Sequence, residues 1–156
     1  MTIAAKLKQY LDDEHVSYEV IEHPYADTSM LTAQNAHISG ENIAKAVLLH
    51  DVTGYVLAIL PATHKVRLGK LHKKFDRYMS LADESEIGRF FDDCSIGAIP
   101  PLGKAYNIDV IYDDTLSKRS DIYFEGGDHA SLIHLSAKDF NSLLDKAPHG
   151  SFSRHM

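Results

Sequence analysis

The chain is poor in the residues and patterns that mark several large classes of protein. Its 156 residues contain one cysteine, Cys94, which excludes an intrachain disulfide and any zinc module built on cysteine pairs. The longest apolar run, Tyr55 to Ala62, has eight residues and includes Pro61, far short of the roughly 18 that a membrane-spanning helix needs. No apolar leader core precedes the first charge, Lys6, so no secretory signal is expected. A glycine-rich triphosphate loop, a Gly-x-Ser-x-Gly elbow and histidines at helical i, i+4 spacing are all missing. With them go the commonest sequence marks of nucleotide hydrolysis, α/β-hydrolase chemistry and helix-borne zinc. Ten histidines are present, but separations such as His129 to His134 form no ligand set, so neither a metal nor a cofactor is expected. Asp92 and Asp93 would raise the pKa of Cys94, against a thiolate nucleophile. The expectation is a single cytoplasmic domain in a reducing compartment.

Positive charge is also scarce. Sixteen Lys and Arg stand against 22 Asp and Glu, for a net charge of −6, which argues against a general nucleic-acid coat protein. The distribution is uneven. Between His64 and Arg77, the six cations Lys65, Arg67, Lys70, Lys73, Lys74 and Arg77 face one acid, Asp76, giving +5 and leaving −11 for the rest. Such a block suits a localised anionic partner, for instance a phosphate backbone; it equally describes the solvated face of an amphipathic helix.

Hydrophobic spacing organises the rest. Ile3, Leu7, Tyr10 and Leu11 share a helical stripe, which predicts a helix over 2–14. Residues 17–22 read as a strand that His23-Pro24 ends, and 31–37 as a short helix. The runs 43–50 and 55–60 flank Asp51-Val52-Thr53-Gly54 and read as a β-hairpin, with Gly54 supplying positive φ. Short helices at 67–75 and 83–91 flank a strand near 78–81. Strands are expected at 107–112, 121–124 and 132–135, and Ser136 N-caps a last helix that turns Phe140, Leu143 and Leu144 inward. Residues 1–146 form the expected domain and 147–156 a frayed tail. The fold class is α+β: one domain with a mixed, largely antiparallel, curved sheet flanked by short helices.

Three features carry chemical potential. Lys45 interrupts the apolar strand Ile43-Ala44-Lys45-Ala46-Val47-Leu48-Leu49; it either guards an exposed edge against aggregation or meets an anion. In Gly97-Ala98-Ile99-Pro100-Pro101-Leu102-Gly103, the prolines stiffen a loop whose glycines permit close backbone approach. The loop is either a plain crossover or a cradle of N–H groups for an oxyanion or phosphate. In Glu125-Gly126-Gly127-Asp128-His129, the histidine either closes a turn or serves as a base or orienting donor.

Taken in order, these segments resemble the successive motifs of the YbaK/ProX family, aminoacyl-tRNA deacylases related to the editing domain inserted in bacterial prolyl-tRNA synthetases. The similarity runs from about Tyr18 to Leu144 and includes Val20-Ile21-Glu22-His23-Pro24 and Leu57-Ala58-Ile59-Leu60-Pro61-Ala62. It implies a mischarged aminoacyl-tRNA as substrate, with tRNA-Pro the usual carrier, and hydrolysis of the aminoacyl ester as the reaction. An aminoacyl-tRNA synthetase is an implied further partner; DNA and membranes are not.

On that resemblance Lys45 binds the terminal phosphate or the carbonyl side of the ester, and the N–H groups of Gly97 and Ala98 form the oxyanion site. His129 orients the amino acid or a water. Ile99, Pro100, Pro101, Gly103, Gly127 and Asp128 surround the substrate, while Lys65, Lys70, Lys73 and Lys74 touch the acceptor stem. An activated ester needs no nucleophilic side chain, only placement and oxyanion stabilisation, and small pocket residues would reject a larger amino acid. Ala46 stands where alanine-specific members carry asparagine, and the 126–129 segment departs from the cysteine-specific members. Alanyl, cysteinyl and other small aminoacyl groups therefore stay open. The alternative is a non-catalytic member of the same fold that holds tRNA or a synthetase.

Overall fold

The computed structural model describes residues 3–144 and 146–156. Helix α1 (Ala5–Asp13) buries Leu7 and Leu11, two members of the predicted stripe. Strand β1 (Glu19–Glu22) and helix α2 (Ser29–Ala36) follow, and Thr28 caps α2 by accepting from the Leu31 N–H at 3.1 Å. The hairpin forms as predicted from β2 (Ala44–Asp51) and β3 (Gly54–Pro61), with Asp51 opposite Gly54 and Lys45 opposite Leu60. Gly54 takes φ +135°, a conformation that side chains resist,. Strand β4 (His64–Val66) leads into α3 (Leu68–Phe75), where Leu71 is buried and His72, Lys73 and Lys74 occupy the last turn. The charges of the two lysines complement the negative end of the helix dipole.

Strand β5 (Ser80–Leu81) precedes α4 (Glu84–Phe90), which a capping box between Asp83 and Glu86 starts,. Strands β6 (Asp109–Asp113), β7 (Asp121–Glu125) and β8 (Ser131–Ser136) then lead to α5 (Ala137–Leu143). Ser136 caps α5 as expected, accepting from the Asp139 N–H at 3.2 Å, and Phe140, Leu143 and Leu144 are buried. Among the described residues no helix is long and apolar enough to cross a membrane.

The class is α+β, and the strands are divided among three sheets. Five strands run in the order β5-β2-β3-β6-β9, with β9 at His149–Gly150; three run in the order β1-β8-β7, and β10 (Ser153–His155) pairs with β4. The three-stranded sheet is antiparallel throughout, whereas β3–β6 and β6–β9 are parallel. One bridge, Ile43 with Tyr123, joins the two larger sheets beside the start of β2. The main core lies between them, with Leu57 and Ile59 of β3, Phe124 of β7 and Phe140 of α5 all fully buried.

The tail corrects the sequence reading. Residues expected to fray form β9 (His149–Gly150) and β10 (Ser153–His155). Phe152 between them is 0% exposed and packs in a second cluster with Leu49, Val56, Leu71 and Ile111. Its N–H donates to Asp113 Oδ1 at 2.9 Å and its carbonyl accepts from the Arg67 N–H at 2.7 Å. One large apolar side chain and two backbone bonds outweigh the entropy that favours a loose terminus.

Candidate functional site

Strand β5 covers the outer edge of β2 only at Leu49 and His50, and the Ala82 N–H donates to the Leu48 carbonyl at 3.0 Å. Upstream, among the described residues, no strand pairs with that edge between Lys45 and Val47. The two-residue alternation that turns the Leu48 carbonyl away from β3 also turns the peptide groups of Ala46 outward. A cavity of about 270 Å³ lies over this stretch. Its floor is Lys45 to Leu48, its apolar wall Leu81, Ala82 and Ile87, and its far side Gly97 and Ile99; Ser29 and Glu125 complete it.

Lys45 stands half-buried on the cavity and donates from Nζ to the Ala62 carbonyl at 3.4 Å. Burial pulls its pKa below the ordinary lysine value,. Glu125 ends β7 and is 3% exposed. Thr32 donates its hydroxyl to Oε1 at 2.9 Å, while Oε2 is buried with no hydrogen-bond partner. Burial pushes its pKa up to about 7 against the hydrogen bond from Thr32, and the charge of Asp128 adds to the rise,. Sequence reasoning had placed Glu125 in the glycine turn and given it no role. The available signal was a carboxylate closing the strand Ile122-Tyr123-Phe124.

The Gly97 loop is irregular, as expected. Gly97 takes φ +90°, which favours glycine, and a Cβ there would crowd His129 Cε1 at 3.1 Å,. The structure corrects the role expected of Ala98: its N–H already donates to the Ser95 carbonyl at 3.1 Å, which closes a turn and leaves no donor for an oxyanion. Ile99 lines the cavity, whereas Pro100, Pro101 and Gly103 are buried outside it. Gly103 packs its Cα against the Ile108 carbonyl and Val110.

His129 is 4% exposed and does not line the cavity. Its φ of 61° is left-handed, and Nε2–H donates to the Ile96 carbonyl at 2.7 Å. A carbonyl only accepts, so Nε2 carries the proton, and Nδ1 is left buried without a partner,. His129 therefore braces the loop from behind. Its neighbours do similar work: the Ser95 N–H donates to Gly127 O at 2.7 Å and the Ala4 N–H to Gly126 O at 2.8 Å. Gly127 packs against Ala4 and Cys94, and Asp128 accepts from the Ala130 N–H at 2.9 Å and the Ser131 hydroxyl at 3.1 Å. Gly127 and Asp128 are thus spent on the turn and away from the cavity. Cys94 lies 3.3 Å from the Tyr106 hydroxyl, and burial pushes its thiol up to about 12, a poor thiolate.

The basic block builds a separate groove of about 890 Å³ between β4, α3 and β10. Lys65, Arg67, Lys70, Lys73 and Lys74 line it with Arg154, and among the described residues no acid lines it. Arg154 was missed because the tail that carries it was expected to fray; pairing opposite Lys65 places it. Arg77 is not part of the groove: Nε and one terminal nitrogen donate to Asp51 at 2.6 and 2.7 Å. Among the described residues no group of three or more His, Cys, Asp or Glu is arranged to hold a metal ion.

Comparison with known proteins identifies the family and the fold. A family model described as the aminoacyl-tRNA editing domain matches residues 23–143. No curated protein matches the chain. Among solved structures, a protein proposed as a trans-editing enzyme for prolyl-tRNA synthetase superposes with a TM-score of 0.84 at 20% identity, covering 97% of this chain and 96% of that one. A hypothetical protein gives a TM-score of 0.84 at 18% identity, over 96% and 99% of the two chains. A longer protein from Marinobacter aquaeolei VT8, proposed to act in signal transduction, gives 0.79 at 20% identity, over 95% of this chain and 30% of its own. At these identities the superpositions establish the fold, and the match over residues 23–143 establishes the family: the chain belongs to the aminoacyl-tRNA editing domains.

Proposed function

We propose that the protein is a trans-editing deacylase that hydrolyses the ester of a mischarged tRNA carrying a small amino acid, with tRNA-Pro as carrier. The observation that carries this reading is convergence: Lys45 from β2 and Gly97 and Ile99 from a distant loop line one cavity. At about 270 Å³ it falls below the range of about 300–1,000 Å³ typical of drug-sized ligands. That volume suits a small aminoacyl group, and Leu48, Leu81, Ile87 and Ile99 form a wall that excludes a larger one,.

Lys45 supplies positive charge at the phosphate or carbonyl side of the ester, in a site where burial strengthens each electrostatic contact. Gly97 offers its backbone N–H to the oxyanion, held in place by His129 and the 126–130 turn. Ser29 is the hydroxyl on the lining, and among the described residues no histidine lines the cavity beside it, so a water or the substrate's own ribose hydroxyl is the attacking group. The groove from Lys65 to Arg154 receives the acceptor-stem backbone,.

A panel of aminoacyl-tRNAs, including misacylated tRNA-Pro, tests the proposal with wild type and Lys45→Ala. We expect turnover of one or more small aminoacyl esters and a loss of about 100-fold or more in the variant, the scale set by removing one electrostatic stabiliser. A protein that only binds tRNA would give no turnover at catalytic concentrations, and full activity in Lys45→Ala would remove that residue from the mechanism.

A further inference from the structure

We infer that Glu125 is a specificity residue that receives the free α-ammonium group of the aminoacyl ester. The inference rests on the editing reading above and assigns the amino-acid end of its substrate.

Glu125 and Lys45 bring opposite charges to one small cavity, yet among the described residues no ion pair joins them. Each has a partner that leaves charge to spare. The Ala62 carbonyl receives one of the three Nζ hydrogens of Lys45,. The Thr32 hydroxyl satisfies Oε1 of Glu125, and Oε2 is buried without any partner. An unpartnered carboxylate oxygen at 3% residue exposure is costly,. Capping Thr32 needs only an acceptor, which an amide would supply without a charge to bury. The free oxygen therefore points to a ligand.

The reacting end of an aminoacyl-tRNA narrows the choice of ligand. Its phosphate is anionic, its ester carbonyl an acceptor and its ribose hydroxyl neutral; its one cation is the α-ammonium. Lys45 repels that cation and suits the carbonyl or phosphate, while Glu125 is the carboxylate among the lining residues. Opposite charges on β2 and β7 thus fix the direction in which the ester lies, with the ammonium at Glu125 and the carbonyl towards Lys45 and Gly97. An N-acylated aminoacyl group, or a peptidyl group, carries no such cation and would leave the carboxylate unpaired. Esters with a free amine are the accepted class, and blocked ones are rejected.

The test uses the intact protein and two hydrolysis-resistant 3′-amide analogues of aminoacyl-adenosine, one alanyl and one propanoyl, which differ only in the amine. Isothermal titration should show the alanyl analogue binding wild type at least about tenfold more tightly, as expected for a charge-assisted contact. In Glu125→Gln, which keeps an acceptor for Thr32, the two affinities should agree within about twofold. Equal affinities in wild type, no detectable binding of either analogue, or a preference that survives in Glu125→Gln would each overturn the assignment. The wild-type comparison decides even if the variant does not fold. A Glu125-dependent preference in a protein that deacylates no tRNA would sink the hydrolytic reading alone. Deacylation accompanied by indifference to the amine would sink this inference alone.

Discussion

Glu125 sets a stability cost that can be measured without any substrate. Its carboxyl titrates near 4.5 in an unfolded chain and at about 7 in the folded one. Between those values the folded protein holds a proton that the unfolded chain has released, so stability falls as pH rises through the interval and levels off above it. A shift of this size corresponds to about 3 kcal/mol. Glu125→Gln should therefore be more stable than wild type by up to about 3 kcal/mol near pH 8, and close to wild type near pH 4. Urea melts at the two pH values check this; a difference that does not change with pH would show that Glu125 ionises normally. At this scale the sequence was informative where a residue is chemically out of place. Lys45 breaks an apolar strand and Gly97 opens a proline-stiffened loop, and both line the cavity. Which of the alternatives open to His129 it takes, and that the Ala98 N–H is already engaged, could not be read from spacing, because a hydrogen-bond partner such as Ser95 O or Ile96 O is set by the turn and the tertiary packing. Glu125 was overlooked because a carboxylate before two glycines looks like turn chemistry.

Elements with their own local signals were legible: the β2–β3 hairpin from its alternation and Gly54, and α5 from the Ser136 cap. The two- and three-residue strands β9, β10 and β4 were not, because each exists only through a partner distant in sequence. The same holds for the parallel pairing of β3 with β6. Phe152 is what converts the tail into structure, and truncating it in the Phe152→Ala variant is predicted to cost about 3–5 kcal/mol, the range for a buried aromatic ring. Arg154→Glu, two residues on, sits on the exposed side of β10 and should alter stability by no more than about 0.5 kcal/mol,. Chemical denaturation of the two variants separates the roles. A Phe152→Ala protein as stable as wild type would return the tail to the frayed state first expected of it.

At the scale of the whole molecule, the net charge of −6 conceals a division of labour. The acidic remainder argues against a chain that coats nucleic acid at large, while six of the 16 Lys and Arg line one groove, where Arg154 joins Lys65, Arg67, Lys70, Lys73 and Lys74. Such a surface attracts a polyanion over one face and releases it readily as salt screens the attraction. Among the described residues the groove and the cavity share no lining residue, so the two tasks proposed for them, holding the tRNA body and handling the ester, are separable by mutation. Reversing Lys70, Lys73 and Lys74 together to glutamate should weaken tRNA binding. It should also flatten the dependence of log affinity on log salt by about 0.9 for each duplex phosphate that is no longer neutralised, or about 2–3 in all. Affinity for a short aminoacyl-adenosine analogue, which reaches only the cavity, should be unchanged in the same variant. An unaltered salt slope would show that the basic face is merely solvated. Parallel weakening on tRNA and on the short analogue would show instead that the charge reversals disturb the cavity, and the two sites would no longer count as independent.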